Sequence, residues 1–322
     1  MFGLLVSVFM ICVFGEKKKE KKQGKNREKR KEGNIKSVDV VYMHIYICTN
    51  IRCSIIVSLS RERKEKHSKM SRFEIYSPEG LRVDGRRWNE LRRFDVAINT
   101  HSHASDGSSY IEHGNNKLIT LVRGPTEPTS RRQLDQTKAT LDISVNITKF
   151  SKFERSKSSG SGSGNKGRSE RRILEMQTSL VRTFEKNLML HLYPRTVIEV
   201  EVHVLQQDGG LLGCLVNGIT LACIDAGIAM YDYISGVSVG LYDTTPLLDI
   251  NSLEEAAMSE VTLGVVGKSE KLSLLVVEDR IPLDRLESVL AIGIAGAHRI
   301  RDLMDVAIRK QAEKRRSLSL KR

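Results

Sequence analysis

A run of apolar residues that cannot face water on any side sets the terms for this chain. Within the stretch Leu205–Asp249, the helix that follows Gly210 carries apolar side chains in nearly every direction around its axis. Such a helix has to be covered all round, so other elements must flank it. It is entered through the paired glycines Gly209 and Gly210, which allow a sharp turn. Amides at a helix start point outward and suit an anion. Gly213 and Gly218 would let neighbours approach closely. Upstream, Ile198, Val200, Val202 and Val204 alternate with Glu199, Glu201 and His203, the pattern of a half-buried strand in which His203 is a solvated residue. Downstream, a strand ends in Asp243 and Asp249, six residues apart. Two carboxylates across a pocket could hold a metal or move a proton.

The remaining elements follow from their periods. Phe94, Val96 and Ile98 alternate. Two further strands meet at Gly114-Asn115, a hairpin signal, and Leu141 to Ile147 alternate again. Residues 155–168, RSKSSGSGSGNKGR, are expected to be a flexible loop. Ser169 then suits the N-cap of a helix whose apolar face includes Ile173, Met176, Leu180 and Phe184. Val261–Val266 and Leu272–Val277 are a closing pair of strands. Pro282 opens a long C-terminal helix with Leu283, Leu286, Val289, Leu290 and Leu303 inward, and residues 311–322 are a basic, frayed tail. Strands followed by helices, twice over, predict one α+β unit with an internal pseudo-repeat.

Charge narrows the partners. The formal net charge is +13, but residues 1–69 carry 17 Lys and Arg against 7 Asp and Glu, leaving 35 against 32 for the rest. Any nucleic-acid contact must therefore come from local patches. Phe2–Gly15 is apolar for only 14 residues, too short for a membrane span, and has no basic residue ahead of it. Residues 1–69 read as a non-native or disordered leader, with Met70 as the natural start and no membrane partner. Cys214 and Cys223, in the apolar helix, read as small buried hydrophobes.

Residues 70–310 carry a resemblance. The runs SPEGLRVDGRRWNELR, DGSSYIEHGNNKLITLVRGP, YPRTVIEVEVHVLQQDGG, DAGI and VGLYDTTPLLD resemble the ribonuclease PH family, and within it the ring subunits of the eukaryotic RNA exosome. The resemblance implies a ribosomal protein S5 domain 2-like fold with two pseudo-repeated βαβ halves. It implies a six-member ring in which this chain pairs with the 45-type subunit, RNA-binding cap subunits above, and a hydrolytic nuclease below. It implies single-stranded RNA in the central channel, rRNA maturation, mRNA turnover and nuclear RNA surveillance, in nucleus, nucleolus and cytoplasm. Arg171 and Arg172 match the family's RNA-gripping pair, and Arg131 and Arg132 lie in a loop expected at the channel entrance.

Active members of that family use inorganic phosphate, seated on a turn written Gly-Ser-Arg or Gly-Thr-Arg. Here the turn continues as Leu211-Leu212, which offers neither a guanidinium nor a hydroxyl. The expectation is therefore a chain that is not an enzyme, with no cofactor, no metal and a vestigial acidic pair at Asp243 and Asp249. The alternative is an active phosphate-dependent 3′-to-5′ exoribonuclease that uses those two aspartates.

Overall fold

The computed structural model describes residues 42–44, 56–58, 75–77, 79–127, 136–151 and 164–319. The leader contributes one short antiparallel pair, β1 (Tyr42–His44) and β2 (Ile56–Ser58). Two sheets then build the domain. The first contains β3 (Phe94–Ile98), β4 (Gly107–His113), β5 (Asn116–Thr126), β6 (Thr140–Ile147) and β7 (Val197–Gln206), in the order β3-β4-β5-β7-β6. All its pairings are antiparallel except β6 with β7. A parallel pair needs a crossover, which the helix α1 (Gly164–Asn187) supplies. The second sheet is wholly antiparallel: β8 (Ile234–Tyr242), β9 (Thr245–Leu248), β10 (Ser259–Val266) and β11 (Leu272–Val277), in the order β11-β10-β8-β9.

The apolar helix α2 (Leu211–Ala226) lies between the sheets, against β4 and β5 on one side and β8 on the other. Twelve of its residues are buried, so nearly its whole circumference is covered. The two glycines act as the sequence implied. The backbone of Gly236 and Val237 comes within 3.3 Å of where a Gly213 Cβ would sit, and Thr120 Oγ1 within 2.7 Å of one on Gly218. One core joins α1, the first sheet and α2; another joins the second sheet to α4 (Leu283–Ser319) and to Ile111 of β4. A four-residue helix, α3 (Ser252–Glu255), bridges β9 and β10. Among the described residues no helix is long and apolar enough to cross a membrane.

The structure departs from three expectations. α1 begins at Gly164, inside the Ser/Gly loop, so Ser169 is an interior residue and not the N-cap. Once the Ile173–Phe184 face is packed, each further turn gains one hydrogen bond per residue fixed, and the helix runs upstream despite its glycines. Leu283 is 80% exposed and Leu303 44% exposed, against the expectation that both face inward. Leu283 is the first residue of α4, ahead of the point where the helix meets the sheet; its first buried residue is Val289. The C-terminal tail, expected to fray, continues α4 as far as Ser319.

Candidate functional site

The Gly209–Gly210 turn is held from behind by a buried polar network. Gly209 and Gly210 have φ of 68° and 61°, the left-handed region that L side chains rarely adopt. A Cβ on Gly209 would meet the Asn251–Ser252 backbone at 2.5 Å, and one on Gly210 would collide with the Ser238 side chain. Both positions therefore require glycine twice over, for conformation and for space. Arg92 Nη1 donates to Asp208 O at 2.5 Å, and Nη2 to Gly209 O at 3.4 Å. Asn116, the first residue of β5, donates through Nδ2 to Gly209 O at 2.7 Å and accepts the Asp208 N–H at 2.5 Å. The Asp208 carboxylate accepts from Ser252 Oγ at 2.8 Å and Asn115 Nδ2 at 2.9 Å.

Asp249 is the hub of this network. It is 1% exposed and accepts from Arg92 N at 2.7 Å, Nε at 3.0 Å and Nη2 at 2.7 Å. His113 Nε2 lies 3.0 Å from its Oδ2, while His113 Nδ1 stands 3.2 Å from Cys214 Sγ. Burial alone would raise the Asp249 pKa, but the His113 and Arg92 cations outweigh it and hold the carboxyl far below the carboxylate range. For His113 burial works toward the neutral ring; Asp249 and Cys214 lift the pKa instead to about 10. Cys214 is thus a polar partner as well as a buried sulfur. Cys223, with burial alone acting on it, has its thiol pushed up to about 12.

The expected acidic pair does not converge. Asp243 sits in the exposed turn between β8 and β9, with φ of 47°. Asp249 follows β9, with its N–H on Ser238 O. The whole of β9 lies between them, with Leu248 opposite Val239 and Thr245 opposite Tyr242, a run of about 13 Å at the strand rise. Asp249 is spent on Arg92 and His113, and Asp243 is out of its reach.

In front of the turn is a different group of side chains. Glu255 of α3 is half-buried and lies within electrostatic reach of Arg172 and Glu278. Burial and Glu278 together raise its pKa. Arg172 Nη2 is 4.0 Å from Glu278 Oε2, with both side chains more than half exposed. Glu260, at 8% exposure on β10, has its carboxyl pushed up to about 8 by burial and by Glu255 and Glu278; Thr262 Oγ1 donates to it at 3.3 Å. Arg171 and Arg172 are exposed on the third turn of α1, clear of the helix start. The cost of a cation at a helix N-terminus, which fades within the first turn, therefore falls away. Leu211 is buried and Leu212 half-buried. Arg131 and Arg132 lie outside the described residues. Among the described residues no group of three His, Cys, Asp or Glu side chains is arranged to hold a metal ion.

Sequence reasoning missed Arg92, His113, Asn116, Glu255 and Glu260. Arg92, His113 and Asn116 did stand inside quoted runs, ELR and HGNNK, but their partners are 93 to 157 residues away in sequence. The Glu254-Glu255 pair, between a strand end and a strand start, carried no periodic signal.

These features define a two-sheet fold with a glycine turn feeding a central helix. Residues 90–229 match the profile of the 3′ exoribonuclease family, domain 1, and residues 232–296 that of domain 2. The chain belongs to this ribonuclease PH family. It is 75% identical over 246 residues to the exosome complex component SKI6 of Saccharomyces cerevisiae, covering 76% of this chain and 97% of that protein. It is 39% identical to the exosome complex component ski6 of Schizosaccharomyces pombe, over 76% of this chain and 97% of the relative. Against the human exosome complex component RRP41 the identity is 36%, over 75% of this chain and 96% of the relative. The fold is that of rice Rrp46, with a TM-score of 0.59 at 24% identity, covering 71% of this chain and all of that one. The family match also corrects an expectation. Leu211-Leu212 had suggested a chain that is not an enzyme, yet both halves match profiles described as those of 3′ exoribonucleases, and the first spans the glycine turn. Two leucines at that turn change how a phosphate could be held; they do not take the chain out of an enzyme family.

Proposed function

We propose that this chain is a ring subunit of an RNA exosome core, and that it holds single-stranded RNA along the exposed lip of α1. The observation that carries the reading is the 75% identity, over nearly the full length of the relative, to a protein named as an exosome complex component. The lip supports it: Arg171 and Arg172 are exposed and adjacent, and Arg172 lies within electrostatic reach of Glu255 and Glu278. Two guanidinium groups there take backbone phosphates in a sequence-tolerant, salt-sensitive way. Arg131 and Arg132, outside the described residues, are two further cations for the same RNA. The 45-type ring subunit is the direct neighbour, with cap subunits above and a hydrolytic nuclease below. The work is 3′-to-5′ RNA processing and decay, in nucleus, nucleolus and cytoplasm.

The test is RNA binding by a reconstituted core that carries Arg171→Glu and Arg172→Glu together. The reading expects weaker binding and a salt dependence shallower by about 1.4, from roughly 0.7 per lost contact with a single strand. Unchanged affinity and unchanged salt dependence would remove the two arginines from the RNA path.

A second reading, phosphate-dependent 3′ exonucleolysis, is favoured by the family description of both halves. With Asp249 enclosed, the acid available at neutral pH beside the turn is Glu260. Release of nucleoside diphosphates from RNA by the core in inorganic phosphate, lost in Glu260→Gln, is the outcome this reading requires.

A further inference from the structure

Carboxylates from three elements stand together in front of the glycine turn: Glu255 of α3, Glu260 of β10, and Glu278 and Asp279 just past β11. β10 and β11 pair as far as Val261 with Val277, and the next position sets Glu260 opposite Glu278, whose N–H donates to Glu260 O at 3.3 Å. Like charges directly opposite one another weaken a ladder. The strands relieve this by keeping a proton: burial, Glu255 and Glu278 push the Glu260 carboxyl up to about 8, and Asp279 adds to them. Thr262 Oγ1, on the same strand, donates to Glu260 Oε1 at 3.3 Å. On its other side β8 meets Glu260 with Gly240, which brings no charge.

Arg172 is where these carboxylates meet α1. Its Nη2 lies 4.0 Å from Glu278 Oε2, and it lowers the Glu255 pKa that burial and Glu278 raise. Arg92 acts on Glu255 from the rear, but its guanidinium is held by Asp249 and the Asp208 carbonyl. The Arg172–Glu278 pair is exposed on both sides, so it is weak and screened by salt. A backbone phosphate offers the same guanidinium oxygen acceptors of matching geometry. A phosphate seated there would stand beside the Glu278 carboxylate, and the two like charges repel. Carboxylate and phosphate therefore exclude each other at Arg172.

We propose that Glu278, backed by Glu255 and Glu260, competes with RNA phosphate for Arg172, so that the lip carries its own brake on how tightly a strand is held. The inference rests on the RNA path proposed above and names what limits its grip. A strand that has to move past the lip needs a contact that is released as readily as it forms. When a phosphate leaves, Glu278 takes its place, and the guanidinium always has an acceptor. Glu260 sets the strength of the brake. Neutral below pH 8, it leaves Glu278 and Glu255 to act on Arg172; as pH rises through 8 it adds a negative charge on their side, and the grip on RNA weakens.

The experiment uses a core reconstituted with the full chain and without the hydrolytic nuclease, in phosphate-free buffer, with fluorescent oligoadenylate as the RNA. Affinity and release rate are read for wild type, Glu278→Gln, Arg172→Gln and the double variant. Glu185→Gln, at an exposed carboxylate about 20 Å further along α1, controls for net charge. Glu278→Gln should tighten binding about twofold to fivefold, the range an exposed ion pair supports, and slow release. With Arg172→Gln present the same change should do nothing, and Glu185→Gln should bind like wild type. Affinity followed from about pH 6.5 to 9 should fall across pH 8 in wild type, and fall less in Glu260→Gln. Unchanged binding by Glu278→Gln overturns the brake, as does equal tightening by Glu185→Gln or with Arg172→Gln present, or a pH profile of Glu260→Gln parallel to wild type. In each of those cases weakened binding by Arg172→Gln leaves the RNA path standing. If Arg172→Gln binds RNA like wild type, the path through Arg172 and the brake fall together.

Discussion

The two sides of the Gly209–Gly210 turn are built on opposite plans. Behind it, Arg92, His113, Asn116 and Asp249 are buried, and Arg92 and Asn116 reach the turn's own carbonyls while Arg92 and His113 converge on Asp249. In front of it, Arg171, Arg172 and Glu278 are exposed, and the Arg172–Glu278 ion pair is loose, at 4.0 Å. Buried pairs are costly to break from one side, whereas exposed pairs contribute little to stability. The rear is where the fold keeps a left-handed glycine turn in place; the front is solvated. A chain can therefore carry leucines at the turn and still hold the turn's shape, because the shape does not depend on the side chains at 211 and 212.

The comparison breaks most visibly at Asp249. Asp249→Ala leaves Arg92 and His113 as buried cations without their counter-charge, and should cost about 3–5 kcal/mol in chemical denaturation. A loss below 1 kcal/mol would mean the rear network is not what holds the turn. Next in size is Gly210→Ala, which forces a side chain into φ +61° and into Ser238, and should cost about 1–3 kcal/mol.

Proton linkage separates the two sides by pH. The Glu260 pKa is raised from an ordinary 4.5 to about 8, so the folded chain binds a proton that the unfolded chain releases. Its contribution is fully present below pH 4.5 and is lost as pH rises through 8. His113, raised from 6.5 to about 10, contributes fully below pH 6.5 and is lost as pH rises through 10. Denaturation midpoints measured from pH 5 to 10 should therefore fall across the range. Glu260→Gln should flatten the part below pH 8 and keep the fall above it; a parallel curve would count against the buried carboxyl at the front. Smallest of all is the expected stability change on replacing both Arg171 and Arg172 by glutamate, about 0.5 kcal/mol or less, because both are solvated.

Much of the fold was legible because its elements have clean periods. The Gly114-Asn115 hairpin, β10, β11 and the central α2 lie where alternation, turn residues and an all-round apolar helix put them. Helix ends were less legible: Ser169 is a good capping residue, but capping chemistry is local and the helix was extended past it by tertiary packing. The candidate site divided along the same line. The glycine turn could be read from two adjacent residues. Asp243 and Asp249 looked like a pair because they are near in sequence, and the four-residue β9 that separates them is too short to signal itself. Arg92 and His113, which do meet Asp249, join it from 157 and 136 positions upstream, where no local pattern connects them. The inference from Leu211-Leu212 to a chain outside the enzymes failed for a related reason. It rested on two side chains, while membership of the exoribonuclease family rests on both halves of the fold.

The claim that the front of the turn is an RNA path is tested most directly by placing a photoactivatable residue at position 172 in a reconstituted core loaded with single-stranded RNA. The account predicts a crosslink to RNA that weakens as salt is raised and disappears in excess unlabelled competitor RNA. A core that binds RNA normally, yet gives no crosslink from position 172 at low salt, would contradict it.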